Sequence, residues 1–221
     1  MRAFVALIPP AGALAELADA VAPLHEAHPD LRWTPPTQWH LTLAFLGDVD
    51  EGRVPELTER LDRAAHRYPP LRLVLASGGR FGDRVLWTRV LPAPADDREL
   101  SIPTRRVVRS GTPSRASEHG RSSQPVEGLR RLAASTAAAA RRSGIGVDQR
   151  GYRPHITLAR SRPGADLRPA VEQLAGFTGS PWTADALHLV RSRLGAGPGG
   201  TAAHDVVGTW RLAGKNRAET G

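Results

Sequence analysis

The segment His40-Leu41-Thr42-Leu43-Ala44 returns almost unchanged as His155-Ile156-Thr157-Leu158-Ala159, about half a chain length further along a sequence of 221 residues. In an extended strand, residues i and i+2 point to the same side of the sheet. Each segment therefore places a histidine and a threonine on one face and aliphatic side chains on the other. Two such copies with matching offsets predict a duplicated unit, whose two lobes face each other across a cleft.

Two imidazoles and two hydroxyls in one cleft form an acid–base set suited to phosphodiester chemistry. Histidine exchanges protons near neutral pH, so one ring can take a proton from water while the other protonates a departing oxygen. The hydroxyls of Thr42 and Thr157 can donate hydrogen bonds to the non-bridging oxygens of a phosphate. A strained cyclic phosphodiester needs these steps, and none of them strictly requires a metal.

The remaining sequence alternates between short strands and helices, which predicts an α+β fold. Apolar runs rich in β-branched and aromatic residues predict strands at 4–8, 39–46, 71–76, 85–91, 154–159, 182–190 and 206–212. Apolar residues at helical spacing predict helices at 14–24, 54–61, 129–140 and 167–174. We expect the glycine-rich residues 77–83 to form a long connection between the two strands of a hairpin.

Residues 93–127 differ in composition from the segments on either side. They are rich in proline, serine and arginine and show no apolar period, so little burial is available to offset the entropy of ordering them. We predict a single bilobal domain over residues 1–213 with a disordered insertion at 93–127. Residues 214–221 are predicted to be a disordered tail.

Composition excludes several classes of protein. The chain has no cysteine, which rules out disulfide scaffolds, thiolate metal sites and cysteine nucleophiles. Its net charge of +8 favours anionic partners, although 29 of its 30 basic residues are arginine, a skew typical of a GC-rich genome. The first apolar run stops at Pro9-Pro10, so it predicts a strand rather than a signal peptide, and no run is long enough to span a membrane. We expect a cytoplasmic protein.

Other candidate signals favour structural roles. The glycines between 195 and 200 are interrupted by Pro198 and predict a hairpin turn rather than a dinucleotide site. The remaining histidines do not fall at metal-ligand spacing, so no metal site is expected. Trp33 and Trp39 precede the first His-Thr segment, and either core packing or stacking on a nucleobase would account for them.

The sequence resembles a known family at several places. Trp33-Thr34-Pro35-Pro36-Thr37-Gln38-Trp39-His40-Leu41-Thr42-Leu43-Ala44-Phe45-Leu46-Gly47 and Tyr152-Arg153-Pro154-His155-Ile156-Thr157-Leu158-Ala159-Arg160 resemble the two signature motifs of the two-histidine phosphoesterases. The opening residues 2–7 and the strand at 85–87 also resemble that family, in particular its bacterial and archaeal RNA 2′,3′-cyclic phosphodiesterases, also described as 2′–5′ RNA ligases. The resemblance runs from residue 1 to about residue 212, with 94–126 left out.

This resemblance implies a bilobal α+β fold, with two antiparallel sheets and flanking helices around a central cleft. It implies hydrolysis of a 2′,3′-cyclic phosphate on an RNA end to a 2′-phosphate, without metal or cofactor, with reversible 2′–5′ ligation in some members. By position, His40 would protonate the leaving 3′-oxygen and His155 would activate water. Thr42 and Thr157 would hold phosphate oxygens, and Arg160 would contact phosphate or backbone. We expect a monomer whose partner is the RNA end.

Two features depart from the family pattern, and alternatives to the main interpretation stay open. The insertion is longer than expected, and His204 stands about where the family often carries a tyrosine. The site could instead hydrolyse a small cyclic nucleotide, or bind a nucleotide or RNA end without hydrolysing it. Arg160 lies an odd number of residues from His155, so in a regular strand the two side chains would point to opposite faces.

Overall fold

A computed structural model of the chain describes residues 1–94, 124–148, 151–197 and 200–214. Its helices are α1 (Ala11–Ala27), α2 (Val54–Ala65), α3 (Gln124–Arg142) and α4 (Arg168–Gln173). Its strands are β1 (Arg2–Leu7), β2 (Arg32–Trp33), β3 (Leu41–Asp48), β4 (Leu71–Phe81), β5 (Val85–Pro92), β6 (His155–Arg160), β7 (Trp182–Ala184), β8 (Ala186–Arg193) and β9 (Ala203–Arg211). Short 3₁₀ turns at Pro36–Gln38 and Glu51–Arg53 precede β3 and α2.

The strands form two antiparallel sheets. The first sheet has the order β3-β1-β8-β9, and the second has the order β2-β6-β5-β4-β7. Apart from β2, the chain passes twice through the same succession of elements, β1-α1-β3-α2 and then β5-α3-β6-α4. After each pass the chain crosses to the other sheet. β4 pairs with β5 in the second sheet, and β8 pairs with β1 in the first. This arrangement confirms the predicted duplicated α+β fold.

Apolar faces at the predicted spacing bury the helices against the sheets. In α1 the buried side chains are Ala13, Leu17, Val21 and Leu24, which recur every three or four residues. The alanine-rich α3 packs on α2 and β3. Its buried side chains include Leu129, Leu132, Ala133, Thr136 and Ala140, the positions that the sequence pattern indicates. The histidine and threonine side chains of the two His-Thr segments lie on the opposite face of each sheet.

Two predictions about strands were wrong. The predicted strand at 182–190 is divided at Asp185, because β7 belongs to the second sheet and β8 to the first. The glycine-rich residues 77–83 are not a long connection, since β4 continues to Phe81 and pairs with β5 from Leu73 to Phe81. Gly79 serves close packing within the sheet, because a Cβ atom on it would lie 2.1 Å from the indole of Trp87.

The predicted insertion and tail lie mostly outside the described residues. At the edges of the insertion, Ala93 is buried and its N–H donates to the carbonyl of Arg72, and α3 begins at Gln124. Among the described helices, none combines the length and apolar character needed to cross a membrane.

Candidate active site

The two His-Thr segments have the same local geometry in the two sheets. His40 directly precedes β3, and His155 begins β6. The Nδ1 atom of His40 lies 2.7 Å from the carbonyl oxygen of Gln38, and that of His155 lies 2.6 Å from the carbonyl oxygen of Arg153. Because a carbonyl oxygen only accepts, Nδ1 carries the proton in both rings. Nε2 is therefore the atom of each imidazole that is left to exchange protons with a ligand.

A β-bulge follows the threonine in each segment. The pairing with β1 skips Leu43, and the pairing with β5 skips Leu158. As a result two consecutive residues, Leu43-Ala44 and Leu158-Ala159, are buried in each strand. A bulge shifts the alternation of side chains by one residue. It therefore brings Arg160, which the regular spacing would turn away, to the face that carries His155.

His40 lies in a cluster of three rings on the first sheet. It stacks on Phe4 of β1 with ring centroids 4.4 Å apart, and it makes a T-shaped contact with the ring of His204 of β9 at 5.2 Å and 77°. The pKa of His40 is lowered to about 4, chiefly by burial and also by the charges of His204 and His155, while the hydrogen bond to the carbonyl of Gln38 raises it. His40 is therefore neutral at pH 7 in the unliganded chain.

His155 lies against two aromatic side chains of the second sheet. Its ring meets Phe81 of β4 at 4.8 Å and 89°, and Trp87 of β5 at 6.0 Å. Burial lowers the pKa of His155, the carbonyl of Arg153 raises it, and the charge of Arg160 lowers it. Trp87 occupies its position because Gly79 of the neighbouring strand leaves room for the indole. The second histidine thus has aromatic walls and a guanidinium nearby.

The threonines are available to a ligand. Thr42 and Thr157 are half-buried, each on the same face as the histidine two residues before it. Among the described residues, neither hydroxyl is engaged in a hydrogen bond within the chain. Thr42 lies in a row across the first sheet with Ala6, His188 and Thr209, and there the Nδ1 atom of His188 is 2.9 Å from the hydroxyl of Thr209.

One short segment connects the two histidine sites. β2 pairs with the end of β6, and the N–H of Thr34 donates to the carbonyl of Leu158. The chain then enters the first sheet, where the side-chain amide of Gln38 donates to the carbonyl of Ala202 at 2.6 Å. The strands β3 and β6 contact each other, and the charge of His155 is the smallest of the influences that lower the pKa of His40. The two imidazoles therefore belong to one site between the sheets.

The structure places His40 and Thr42 at β3 of the first sheet and His155, Thr157 and Arg160 on β6 of the second, and these two strands are in contact. Their functional roles stay predictions. Trp39 is buried, and the half-buried Trp33 contacts His25 and donates to the carbonyl of His28. Packing within the protein is therefore favoured for these two tryptophans over stacking on a nucleobase.

Sequence reasoning did not select the ring neighbours Phe4, Phe81 and Trp87 or the anchoring side chain of Gln38. Gln38 and Phe4 lie within the segments that resemble the family. The bulges have one signal in the sequence, the two consecutive aliphatic residues Leu43-Ala44 and Leu158-Ala159. Within the described ranges, no group of three or more histidine or carboxylate side chains is placed to bind a metal ion.

The duplicated fold and the paired His-Thr strands define a two-histidine phosphoesterase. The chain belongs to the LigT-like phosphoesterase family, whose sequence profile matches residues 8–91 and 121–199. The interval between the two matched stretches lies almost entirely within the predicted insertion.

Three curated relatives have the name RNA 2′,3′-cyclic phosphodiesterase. The relative from Aeropyrum pernix is 31% identical over 163 residues, which are 74% of this chain and 73% of the relative. The relative from Geobacillus stearothermophilus is 26% identical over 190 residues, 86% of this chain and 50% of the relative. The one from Bacillus subtilis is 29% identical over 139 residues, 63% of this chain and 60% of the relative. The chain thus spans about half to three-fifths of the length of the last two.

Solved structures share the fold over nearly the whole chain. The protein TT0787 of Thermus thermophilus superposes with a TM-score of 0.67 at 25% identity, covering 98% of this chain and 100% of that one. The apo form of LigT from E. coli superposes with a TM-score of 0.62 at 23% identity, covering 96% of each chain.

Proposed function

We propose that this chain is an RNA 2′,3′-cyclic phosphodiesterase, which hydrolyses a terminal 2′,3′-cyclic phosphate to a 2′-phosphate. The observation that carries this proposal is the pair of imidazoles, each with Nδ1 fixed on a backbone carbonyl and Nε2 free to exchange a proton. The names of the three curated relatives support the substrate class.

The proposed reaction needs one base, one acid and a site for the phosphate oxygens. One imidazole takes a proton from water on its Nε2 atom, and the water oxygen forms a new bond to phosphorus. The bond from phosphorus to O3′ breaks in line, and the other imidazole gives its Nε2 proton to O3′. The hydroxyls of Thr42 and Thr157 and the guanidinium of Arg160 hold the non-bridging oxygens, whose charge increases in the transition state. The products are a 2′-phosphate and a 3′-hydroxyl.

The resemblance implies that His40 is the acid and His155 the base. His40 must then be protonated in the complex with the substrate. With a pKa of about 4, His40 holds little of the proton that an acid must donate at pH 7. A phosphate anion next to the ring favours the charged imidazolium and raises this pKa. We therefore propose that substrate binding supplies the missing stabilisation and charges the acid.

A substrate with an activated leaving group tests this assignment of roles. In a cyclic substrate that carries sulfur in place of O3′, the leaving thiolate needs little help from an acid. We expect this substrate to restore turnover to the variant that lacks the acid, His40→Gln, and not to His155→Gln. Rescue of His155→Gln alone would reverse the assignment.

RNA ends are the proposed partner, and one chain carries both histidine sites, so a monomer is sufficient. We propose the cytoplasm as the place of the reaction. The alternatives are a small cyclic nucleotide as substrate and a site that binds without hydrolysis. The positive net charge of +8 favours a polyanion over a mononucleotide.

The direct test is incubation with an RNA oligomer that ends in a 2′,3′-cyclic phosphate, in the presence of EDTA. The position of the product phosphate is then mapped as 2′ or 3′. We expect a 2′-phosphate from the wild-type chain, and a loss of about 10²–10⁴-fold in rate for His40→Gln and for His155→Gln. His66→Gln, on the exposed end of α2, is the matched control with wild-type turnover expected.

Each other outcome favours a different function. Binding of the oligomer without product, over hours and at high protein concentration, would favour the binding module. Turnover of 2′,3′-cyclic AMP but not of the oligomer would favour the small-nucleotide enzyme. Activity that EDTA abolishes would contradict the expected independence from metal. Formation of 2′–5′ linked product from paired RNA ends would reveal the ligase reaction.

A further inference from the structure

His204, the third histidine near the catalytic pair, lies on the terminal strand β9 and packs against His40. Its ring is 5.2 Å from the ring of His40 at 77°, and 5.1 Å from the ring of Phe4 at 75°. Phe4 in turn stacks on His40 at 4.4 Å, so each of the three rings contacts the other two. The orientation of the His40 ring is therefore fixed by Phe4 and His204 together with the hydrogen bond to Gln38.

The backbone around His204 is tied to the segment that carries His40. The side-chain amide of Gln38 donates to the carbonyl of Ala202, two residues before His204. The carbonyl of the same Gln38 accepts the Nδ1 proton of His40. A single residue thus fixes the spacing between the two imidazoles, so their contact does not depend on side-chain packing alone.

His204 has no structural hydrogen bond that would account for it. Its Nδ1 atom is buried without a hydrogen-bond partner among the described residues. A buried polar atom without a partner costs free energy, and a phenylalanine would fill the same space without that cost. The imidazole therefore contributes something that an apolar ring at this position would lack.

We propose that His204 is a positioning residue of the active site, which holds the ring of His40 and uses its own charge to control when His40 takes up a proton. This inference deepens the proposed function and rests on it. When His204 is protonated, a second positive charge on the adjacent His40 is opposed by Coulomb repulsion. Burial already keeps His40 neutral near pH 7. While His204 is charged, His40 takes up a second proton only where a phosphate anion in the site favours it.

The charged groups around the two rings agree with this role. The titratable groups that act on His40 are His204 from β9 and His155 from β6, and both lower its pKa. Burial lowers the pKa of His204, while the carboxylate of Asp205 raises it. That carboxylate is shared with the guanidinium groups of Arg191 and Arg193, at 3.2 and 2.9 Å. Asp205 therefore offsets only part of the effect of burial, and the pKa of His204 stays below its ordinary value.

Two substitutions separate charge from packing at this position. His204→Phe keeps an aromatic ring against His40 and removes the charge, while His204→Gln removes both the charge and the ring. Repulsion at this distance is worth on the order of one pH unit. We expect both variants to raise the midpoint of the His40 titration by about that amount, measured by imidazole NMR on the full chain. His66→Gln should leave this midpoint unchanged.

The NMR titration does not depend on catalysis, so it tests His204 even if the proposed phosphodiesterase function fails. If the chain is active, the acidic limb of the pH profile of kcat/KM should move to higher pH in both variants by the same amount. A His40 midpoint that stays at its wild-type value in His204→Phe would overturn the proposal, because the role of His204 would then be packing alone.

Discussion

The hydrogen bond from each of the two imidazoles to the carbonyl two residues before it decides which nitrogen is left to exchange a proton. His40 and His155 both place Nδ1 on a backbone oxygen, at 2.7 and 2.6 Å. The backbone therefore selects the tautomer, and no third side chain is needed for that purpose. The two rings differ in what surrounds them, since His40 meets Phe4 and another imidazole whereas His155 meets two aromatic walls and Arg160.

Arg160 is a residue whose removal should change both binding and pH dependence. Arg160→Ala removes a positive charge that lowers the pKa of His155, so this pKa should rise. Loss of one charge-assisted contact should also raise KM for the RNA oligomer by about 10-fold or more. Both effects are read from the pH profile of kcat/KM, with the exposed Arg162→Ala as control. A normal KM with an unshifted profile would remove Arg160 from the site.

At the scale of the strand, β-bulges and glycines determine which side chains reach the site. The bulges at Leu43 and Leu158 stand at the same position in the two motifs. After the second bulge, the face that carries His155 and Thr157 continues with Arg160. After the first bulge it continues with Phe45, which is 38% exposed beneath the guanidinium of Arg2. The two halves therefore repeat their geometry while presenting different chemistry at this position.

Gly79→Ala tests the packing of Trp87 beside His155. A Cβ atom there would lie 2.1 Å from the indole, so the ring must move or the strands must separate. We expect a loss of about 1–3 kcal/mol in the free energy of unfolding, together with lower turnover. Gly12→Ala in α1, where a Cβ atom meets nothing within 4 Å, is the matched control. It should be neutral or stabilising by up to about 1 kcal/mol. Equal midpoints of chemical denaturation for the two variants would contradict this account.

At the scale of the whole molecule, the exchange of strands between the sheets makes the two lobes fold as one unit. β4 and β8 each pair with a strand of the opposite half, and β2 joins β6 just before the chain reaches His40. Residues of both lobes also share one hydrophobic core. His40 consequently becomes exposed only when the whole domain unfolds. Its protonation is therefore linked to the free energy of global unfolding.

Stability should fall as the pH is lowered from about 6.5 towards 4. The pKa of His40 is about 4 in the folded chain against 6.5 without burial, so the unfolded chain binds more protons in this window. Protonation therefore favours unfolding, and the contribution of His40 amounts to about 3 kcal/mol across the window. Denaturation midpoints of wild type and His40→Gln, measured from pH 7 to pH 4, should show a shallower decline in the variant. Parallel declines would contradict the linkage.

The net charge should appear in the salt dependence of RNA binding. Neutralised backbone phosphates release counterions, so KM for an RNA oligomer should rise steeply with salt concentration. KM for 2′,3′-cyclic AMP, with a single phosphate, should rise much less. Similar salt slopes for the two substrates would indicate that only the terminal phosphate contacts the chain.

The sequence by itself determined the features that depend on residues close together in the chain. The period of two in each motif placed His40 with Thr42 and His155 with Thr157. The helical spacing of apolar residues placed the buried faces of α1 and α3. The repeat indicated a duplication. Local steric rules and hydrophobic patterning act over a few residues, so they are visible without a structure.

Only the tertiary structure decided the features that depend on distant parts of the chain. The change of sheet at Asp185, the course of β4 through Gly79, and the position of Trp87 over that glycine depend on which strands become neighbours. The orientation of Arg160 depends on a bulge that is defined by the partner strand. The contact between His40 and His204 joins the first third of the chain to its last strand. Such pairings are set by the packing of the whole core, which no local pattern in the sequence encodes.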